Sequence, residues 1–176
     1  MIKLLPVSDS MELNDDLKQI YEDSFPSDER REWLEISELI QHPKFIIYRI
    51  YNNEELIGLI TVWNLNHFIF IEHFAIRQNL RGKLLGTQVV NQVITECDKT
   101  VIVEVEEPIN DTAQRRIAFY ERLGFVVFSG IYYQPPYSNG KNRVKMMLMS
   151  FPNQLTTIEF SEVKSSIYRI VYKAPE

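Results

Sequence analysis

The chain reads as an α/β protein, a mixed β-sheet carrying helices on both faces. Strand-length runs rich in β-branched and aromatic residues (Phe45–Tyr51, Leu56–Trp63, Phe68–Ile76, Val101–Val105) alternate with segments of helical period. The polar turn Asn52-Asn53-Glu54-Glu55 joins two of these runs as a hairpin, whereas the later strands are separated by helices, so the sheet is mixed. With 176 residues, 45% hydrophobic and 24% charged, the chain fits one domain with an ordinary core.

Ile2 to Val7 reads as an edge strand. Ser10 to Asp23 reads as a helix with Leu13, Leu17, Ile20 and Tyr21 on one side, broken by Pro26. Ser27 or Asp28 caps a second helix bearing Trp33, Leu34, Ile36, Leu39 and Ile40, which ends at His42-Pro43. The hairpin strands come next, then Phe68–Ile76 as a third antiparallel member. A helix spans Leu84 to Cys97, with Leu85, Val89 and Val93 on its apolar side. After the strand Val101–Val105, a helix covers Asp111 to Leu123 and stops at Gly124. Phe125–Tyr133 and Arg143–Ser150 read as two last strands around a Gln134–Gly140 loop. Ser161 is expected to cap a final helix through Val163, Ile167, Ile170 and Val171.

Several function classes are disfavoured. No apolar run approaches the roughly 20 residues that cross a bilayer, and the N-terminus does not read as a secretory signal. The single cysteine, Cys97, rules out disulfide frameworks and cysteine-rich zinc sites. The net charge of −5 argues against general nucleic-acid binding. Neither G-x-x-x-x-G-K-[ST] nor G-x-G-x-x-G occurs, which argues against an ATPase or a dinucleotide oxidoreductase.

The most informative stretch is Arg81-Gly82-Lys83-Leu84-Leu85-Gly86-Thr87, lying between a strand and a helix. Unpartnered N–H groups, the positive end of the macrodipole and small residues let such a turn grip a phosphate. The alternative is an ordinary strand-to-helix connection with solvated basic residues.

Phe74-Ala75-Ile76 followed by Arg81-Gly82-Lys83-Leu84-Leu85-Gly86 resembles the acetyl-CoA signature of the GCN5-related N-acetyltransferase (GNAT) superfamily, [QR]-x-x-G-x-[GA]. Ala118-Phe119-Tyr120-Glu121-Arg122-Leu123-Gly124-Phe125 resembles its second signature, a helix ending in YExLGF. Leu84 stands where the middle glycine normally lies. Ala113 stands where many members carry a pantetheine-contacting asparagine, with Asn110 nearby as a substitute or, alternatively, a helix cap. The resemblance implies a splayed sheet in which the strands ending at Ile76 and at Val105 part. Pantetheine would lie in that gap against the backbone of Phe74, Ala75 and Ile76, with the pyrophosphate on the amides of Arg81 to Thr87. It implies an acetyltransferase domain at residues 1–150, with 151–176 a C-terminal helical extension packed on it.

The implied reaction is direct attack of a primary amine, from a small molecule or a peptide, on the thioester of acetyl-CoA in a ternary complex. An alkylamine of pKa about 10 needs a base, and a leaving thiolate of pKa about 8.5 benefits from a proton donor. The oxyanion needs an aimed donor, which the family supplies from the backbone of the strand ending at Ile76. Tyr120 matches the family proton donor, the alternative being a core aromatic. Glu72 is expected as the base, because a carboxylate among Phe70, Ile71 and Phe74 is exposed or functional. Strict alternation puts Glu72, Phe74 and Ile76 on one face and His73 on the other, and burial should raise the Glu72 pKa. His73 or a water chain remains open, since family strands bulge here. Phe25, Trp33, Tyr133 and Tyr137 are expected at the acceptor site, with Tyr21 and Asn139 beside them, and Glu22, Asp23 and Glu106 as sources of charge. No metal is expected, nor a nucleic-acid or membrane partner; a homodimer stays open, and a cytoplasmic protein fits best. The competing reading is a non-catalytic acyl-CoA-binding sensor or interaction domain of the same fold, and a third is an unrelated structural α/β domain.

Overall fold

The computed structural model describes residues 1–175. In chain order the elements are β1 (Ile2–Pro6), α1 (Asp15–Ser24), α2 (Trp33–Leu39), β2 (Phe45–Asn52), β3 (Glu55–Asn64) and β4 (Phe68–Ile76). Then come α3 (Leu85–Glu96), β5 (Thr100–Glu106), α4 (Asp111–Arg122), β6 (Val126–Val127), β7 (Tyr132–Gln134), β8 (Val144–Phe151) and α5 (Thr157–Ser166). A wide π-type turn, Ile167–Tyr172, extends α5.

The strands form one mixed sheet in the order β1-β2-β3-β4-β5-β8-β6, with β7 also pairing β8. Of the pairs that join these strands, only β4–β5 is parallel, and it is short: Phe68–Ile71 pair with Thr100–Val103 and nothing beyond. β4 runs on to Ile76 and β5 to Glu106, so the two strands fork after Ile71 and Val103. This is the splay that the sequence motifs implied.

Each face of the sheet buries its own core. On one side, the acceptor face, Leu17, Ile20 and Tyr21 of α1, Ile36 of α2, and Phe160, Val163, Ile167 and Val171 of the C-terminal segment pack against Leu59, Trp63, Phe70, Ile102 and Leu148. On the other, the cofactor-helix face, Val89, Val90, Ile117 and Tyr120 of α3 and α4 pack against Ile60, Ile71, Ile76, Val103 and Met149.

The structure shifts several element boundaries. Ser10–Glu12 is a separate 3-10 turn capped by Asp9, and α1 starts only after Asn14, whose side chain accepts from Leu17 N. Ser27–Glu29 is another 3-10 turn, and Arg30 and Glu32 are extended before α2 starts behind the reciprocal Glu32/Glu35 cap. The expected strand Phe125–Tyr133 is broken into β6 and β7, which pair with opposite ends of β8. The last helix is capped by Thr156 and Glu159 rather than by Ser161. At the starts of α1, α2 and α5 a side-chain cap outside the apolar period set the boundary.

Candidate active site

The site is organised around the fork. Arg77 N donates to Ile57 O at 2.8 Å, so the amides of Ala75 and Arg77 point toward β3. Alternation then turns the N–H and C=O groups of Phe74 and Ile76 to the opposite edge, where β5 has departed. The Ile76 carbonyl is taken by Arg81 Nε at 2.9 Å; the Phe74 and Ile76 amides have no partner among the described residues. They are free donors along a gap, suited to an extended amide-bearing chain or an oxyanion.

At the head of the same gap lies the basic turn. Gly82 has φ +78° and Leu84 φ +60°, and the first main-chain bond into α3 is Gln88 N to Leu84 O. The amides of Leu85, Gly86 and Thr87 precede that bond and are unpartnered at the positive end of a twelve-residue helix. A Cβ at Gly86 would meet only ordinary contacts, 3.5 Å from Phe74 and 3.6 Å from Phe119. Arg81 turns back from the turn to Ile76 O and Ser24 Oγ, thereby bracing the strand end, while Lys83 is exposed. Arg77, Gln78, Asn79 and Arg81 border a cleft of about 410 Å³ against α1.

Leu84 departs from the motif at a cost. The position needs a left-handed backbone, which costs a non-glycine residue roughly 1–2 kcal/mol, and the side chain is 70% exposed with little packing to offset it. Leu84→Gly is therefore expected to raise stability by about 0.5–1 kcal/mol, after the entropy of a freer unfolded chain. Urea unfolding at unchanged m-value checks this; a destabilised variant would show that Leu84 packing outweighs the strain.

On the acceptor face, β4 carries a bulge. Thr61 pairs with His73 but Val62 with Ile71, leaving Glu72 as the extra residue. The bulge sends Glu72 and His73 to the same face and returns Phe74 and Ile76 to the other, so strict alternation fails here. Phe74 instead packs on the cofactor-helix side near Phe119, with ring centres 6.4 Å apart.

Glu72 is buried and fully engaged. Arg31 Nε donates to Oε1 at 3.0 Å, a second guanidinium nitrogen lies 2.8 Å from the same oxygen, and Trp63 Nε1 donates to Oε2 at 2.8 Å. Arg31 also donates to Val171 O at 2.8 Å and lies over the Tyr137 ring. Burial raises the Glu72 pKa, but Arg31, His73 and the Trp63 bond outweigh it, and the net direction is down. The expected rise is thus corrected: the sequence shows the apolar neighbours but not the arginine brought from the α1–α2 loop.

His73 is packed edge-on against Tyr21 and Phe25 and stacked on Tyr137. Its Nε2 lies 3.1 Å from the Glu29 carbonyl and its Nδ1 3.3 Å from Thr61 Oγ1. Burial pushes its pKa down to about 4, so the ring is neutral at physiological pH.

A second carboxylate, Glu104, sits where β5 leaves its last pair, across the fork from Glu72. Tyr132 and Tyr172 both donate to it, Tyr172 at 2.8 Å. Burial raises Glu104 to about 8, against the lowering effect of those two bonds. Glu29 in the α1–α2 loop is raised to about 7 by burial and by Glu106, while Glu106 itself pairs with Arg116 of α4.

On the other face Tyr120 is buried, edge-on to Phe119 and Phe125, and its hydroxyl has no hydrogen bond among the described residues. Burial raises the phenol to about 12, so it carries its proton.

The structure brings Glu72, His73, Phe25 and Tyr137 together, with Trp33 one ring further out against Tyr21. It does not bring Tyr133: alternation in β7 turns that ring out beneath Arg143 and sends Tyr132 inward to Glu104. Asn110 caps α4, its side chain accepting from Ala113 N at 2.9 Å. Sequence reasoning missed Arg31, Glu104 and Tyr172. Glu104 had a readable signal, a carboxylate within the apolar run Val101–Val105; Arg31 and Tyr172 had none.

A fork with unpartnered amides on one strand, a basic turn on a helix N-terminus and a phenol on α4 are thus present on the elements that the two sequence signatures implied. The acetyltransferase (GNAT) family matches residues 12–125, and the chain belongs to that family. A solved protein of Bacteroides thetaiotaomicron assigned to the GNAT family superposes with TM-score 0.90 at 28% identity, over 98% of this chain and 99% of that one. The ribosomal-protein-S18-alanine N-acetyltransferase of Escherichia coli superposes at TM-score 0.62 and 19% identity, over 89% and 95% of the two chains. A GNAT-family acetyltransferase of Elizabethkingia anophelis with acetyl-CoA bound gives TM-score 0.60 and 17% identity, over 85% and 96%. No curated protein matches the chain closely enough to count as a relative.

Proposed function

We propose that the protein is an acetyl-CoA-dependent N-acetyltransferase acting in the cytoplasm on a primary amine of a small molecule or peptide. The fork carries this reading: the unpartnered amides of Phe74 and Ile76 line a gap that ends at the unpartnered amides of Leu85 to Thr87. Those two sets suit the amides and the pyrophosphate of one extended thioester. Arg81 and Lys83 supply positive charge around the second set, Arg81 while bracing Ile76. The Phe74 amide, next to the bulge, is placed to stabilise the oxyanion.

Each proton has a candidate holder. Glu104 is the group best matched to freeing the amine, since its pKa near 8 leaves it partly ionised at neutral pH and able to hold the proton it takes. Glu72 is held by Arg31 and serves better to fix the bulge than to move protons. Tyr120 donates to the departing sulfur. Burial raises both a phenol and a thiol, so the match between them survives desolvation. Phe25 and Tyr137 offer aromatic faces to a cationic acceptor.

The test is free-thiol detection of CoA released from acetyl-CoA in the presence of putrescine, tyramine or an alanine-terminated peptide. Release that depends on an amine, with the acetylated amine found by mass spectrometry, is the expected result. Tight acetyl-CoA binding with no release for any primary amine would favour the non-catalytic sensor, a reading to which the missing motif glycine at Leu84 lends support.

A further inference from the structure

A chain of hydroxyls, those of Tyr172 and Tyr137, lies behind the fork on the acceptor face. Tyr172, in the C-terminal turn, donates to Glu104 Oε2 at 2.8 Å, and its hydroxyl lies 3.4 Å from that of Tyr137 in the β7–β8 loop. Tyr172 is buried; Tyr137 is half-buried as a residue, forms the outer end of the chain and also has its hydroxyl 3.5 Å from His73 Nε2. Both lie beyond residue 125, where the family match ends. The C-terminal turn is firmly seated: Val171 O accepts from Arg31, and Ile167, Tyr168 and Val171 are in the acceptor-face core.

We propose that Tyr172 is a positioning residue of the acceptor site, holding Glu104 at the fork as proton acceptor and joining it through Tyr137 to solvent. The proposal rests on the acetyl-transfer reading. Glu104 is the first residue of β5 past the last β4–β5 pair, so its carboxyl borders the gap where amine and thioester meet.

Atoms and electrons balance along this route. The amine lone pair forms the N–C bond while the carbonyl π pair moves to oxygen. That pair returns as the C–S bond breaks, the electrons leave on sulfur, and sulfur takes the Tyr120 proton, which water restores. Nitrogen loses two protons in turn, one from the ammonium before attack and one after the N–C bond forms, and each goes to the Glu104 carboxylate. Each time, Glu104 then gives the proton to the Tyr172 oxygen, Tyr172 gives its own to Tyr137, and Tyr137 gives one to water. Each hydroxyl ends with one proton and Glu104 is ionised again.

The groups facing Glu104 set the pH signature. Burial raises its pKa; Tyr132 and Tyr172 lower it by donating, Glu72 raises it, and Arg31 lowers it. Removing the Tyr172 hydroxyl therefore moves Glu104 up and shifts the acid limb of kcat/KM to higher pH. Tyr137 does not touch Glu104, so Tyr137→Phe should slow turnover and leave that limb in place.

The experiment compares wild type, Tyr172→Phe, Tyr137→Phe, Glu104→Gln and the Glu104→Gln/Tyr172→Phe double variant. It uses acetyl-CoA with whichever of putrescine, tyramine and the alanine-terminated peptide is acetylated fastest, alongside a carbon-13 NMR titration of labelled glutamate carboxyls. Expected are a loss in kcat of about tenfold or more in Tyr172→Phe, an acid limb and a Glu104 titration both moved upward, and an unchanged thermal shift with acetyl-CoA. In the Glu104→Gln background the Tyr172 change should add little. An unmoved limb and an unmoved titration in Tyr172→Phe, or equal losses with and without Glu104, would overturn the relay and leave the acetyltransferase reading standing. A wild type that neither binds acetyl-CoA nor releases CoA would overturn both.

Discussion

Glu72→Gln is expected to lose about 3–5 kcal/mol of stability, because it leaves the Arg31 guanidinium buried without its counter-charge. For a chain of this size that lowers Tm by roughly 10 °C. Glutamine keeps an acceptor for Trp63, so the loss reports on the ion pair rather than on the indole bond. The pH dependence gives the sign. Glu72 is held below its ordinary value, so its stabilisation is full above the unfolded value of 4.5 and fades as pH falls through the lowered folded one. The gap between wild type and Glu72→Gln should therefore close in acid. His73 adds a separate liability: with its pKa held near 4 against 6.5 unfolded, stability is full above 6.5 and lost as pH falls between the two. Chemical denaturation from pH 8 to pH 3 checks both. A Glu72→Gln variant as stable as wild type at neutral pH, but slow in turnover, would return Glu72 to the role of base.

Tyr120→Phe is expected to lower kcat by about 10²–10⁴-fold while hardly changing the affinity for acetyl-CoA. The hydroxyl has no partner among the described residues, so its removal breaks no hydrogen bond, and the ring contacts with Phe119 and Phe125 survive. Stability should accordingly stay within about 0.5 kcal/mol of wild type. The separation of effects is what matters: a stability-neutral change with a large kcat loss assigns the phenol to thiolate departure. Equal rates in variant and wild type would assign Tyr120 to packing and leave protonation of the sulfur to water.

The cofactor half of the site was legible because it is local. A turn, its glycines and the helix after it lie within a few residues, and Gly86 and Tyr120 sit on the elements their periodicity implied. The order of elements along the chain, β6 and β7 apart, could be read from apolar runs and turn residues for the same reason. The acceptor half is assembled from distant segments: Arg31 reaches Glu72 across the fold, and Tyr172 reaches Glu104 from the C-terminal turn. No spacing rule connects such residues. The bulge at Glu72 adds a further obstacle, since one extra residue reverses the facing of everything beside it. Tyr132 and Tyr133 show the same sensitivity on a smaller scale, where one position decides which ring reaches Glu104.

The central claim, that the fork and the basic turn grip acetyl-CoA, is tested most directly by thermal unfolding of wild type and Gly86→Glu in millimolar acetyl-CoA. Glutamate at the start of α3 suits the helix dipole, and a Cβ at Gly86 meets only ordinary contacts with Phe74 and Phe119, but its carboxylate would oppose a diphosphate on the same amides. A hundredfold excess over Kd should stabilise wild type by about 2.7 kcal/mol and leave Gly86→Glu unmoved. No shift and no calorimetric heat with wild type, or equal shifts in the two proteins, would contradict the assignment.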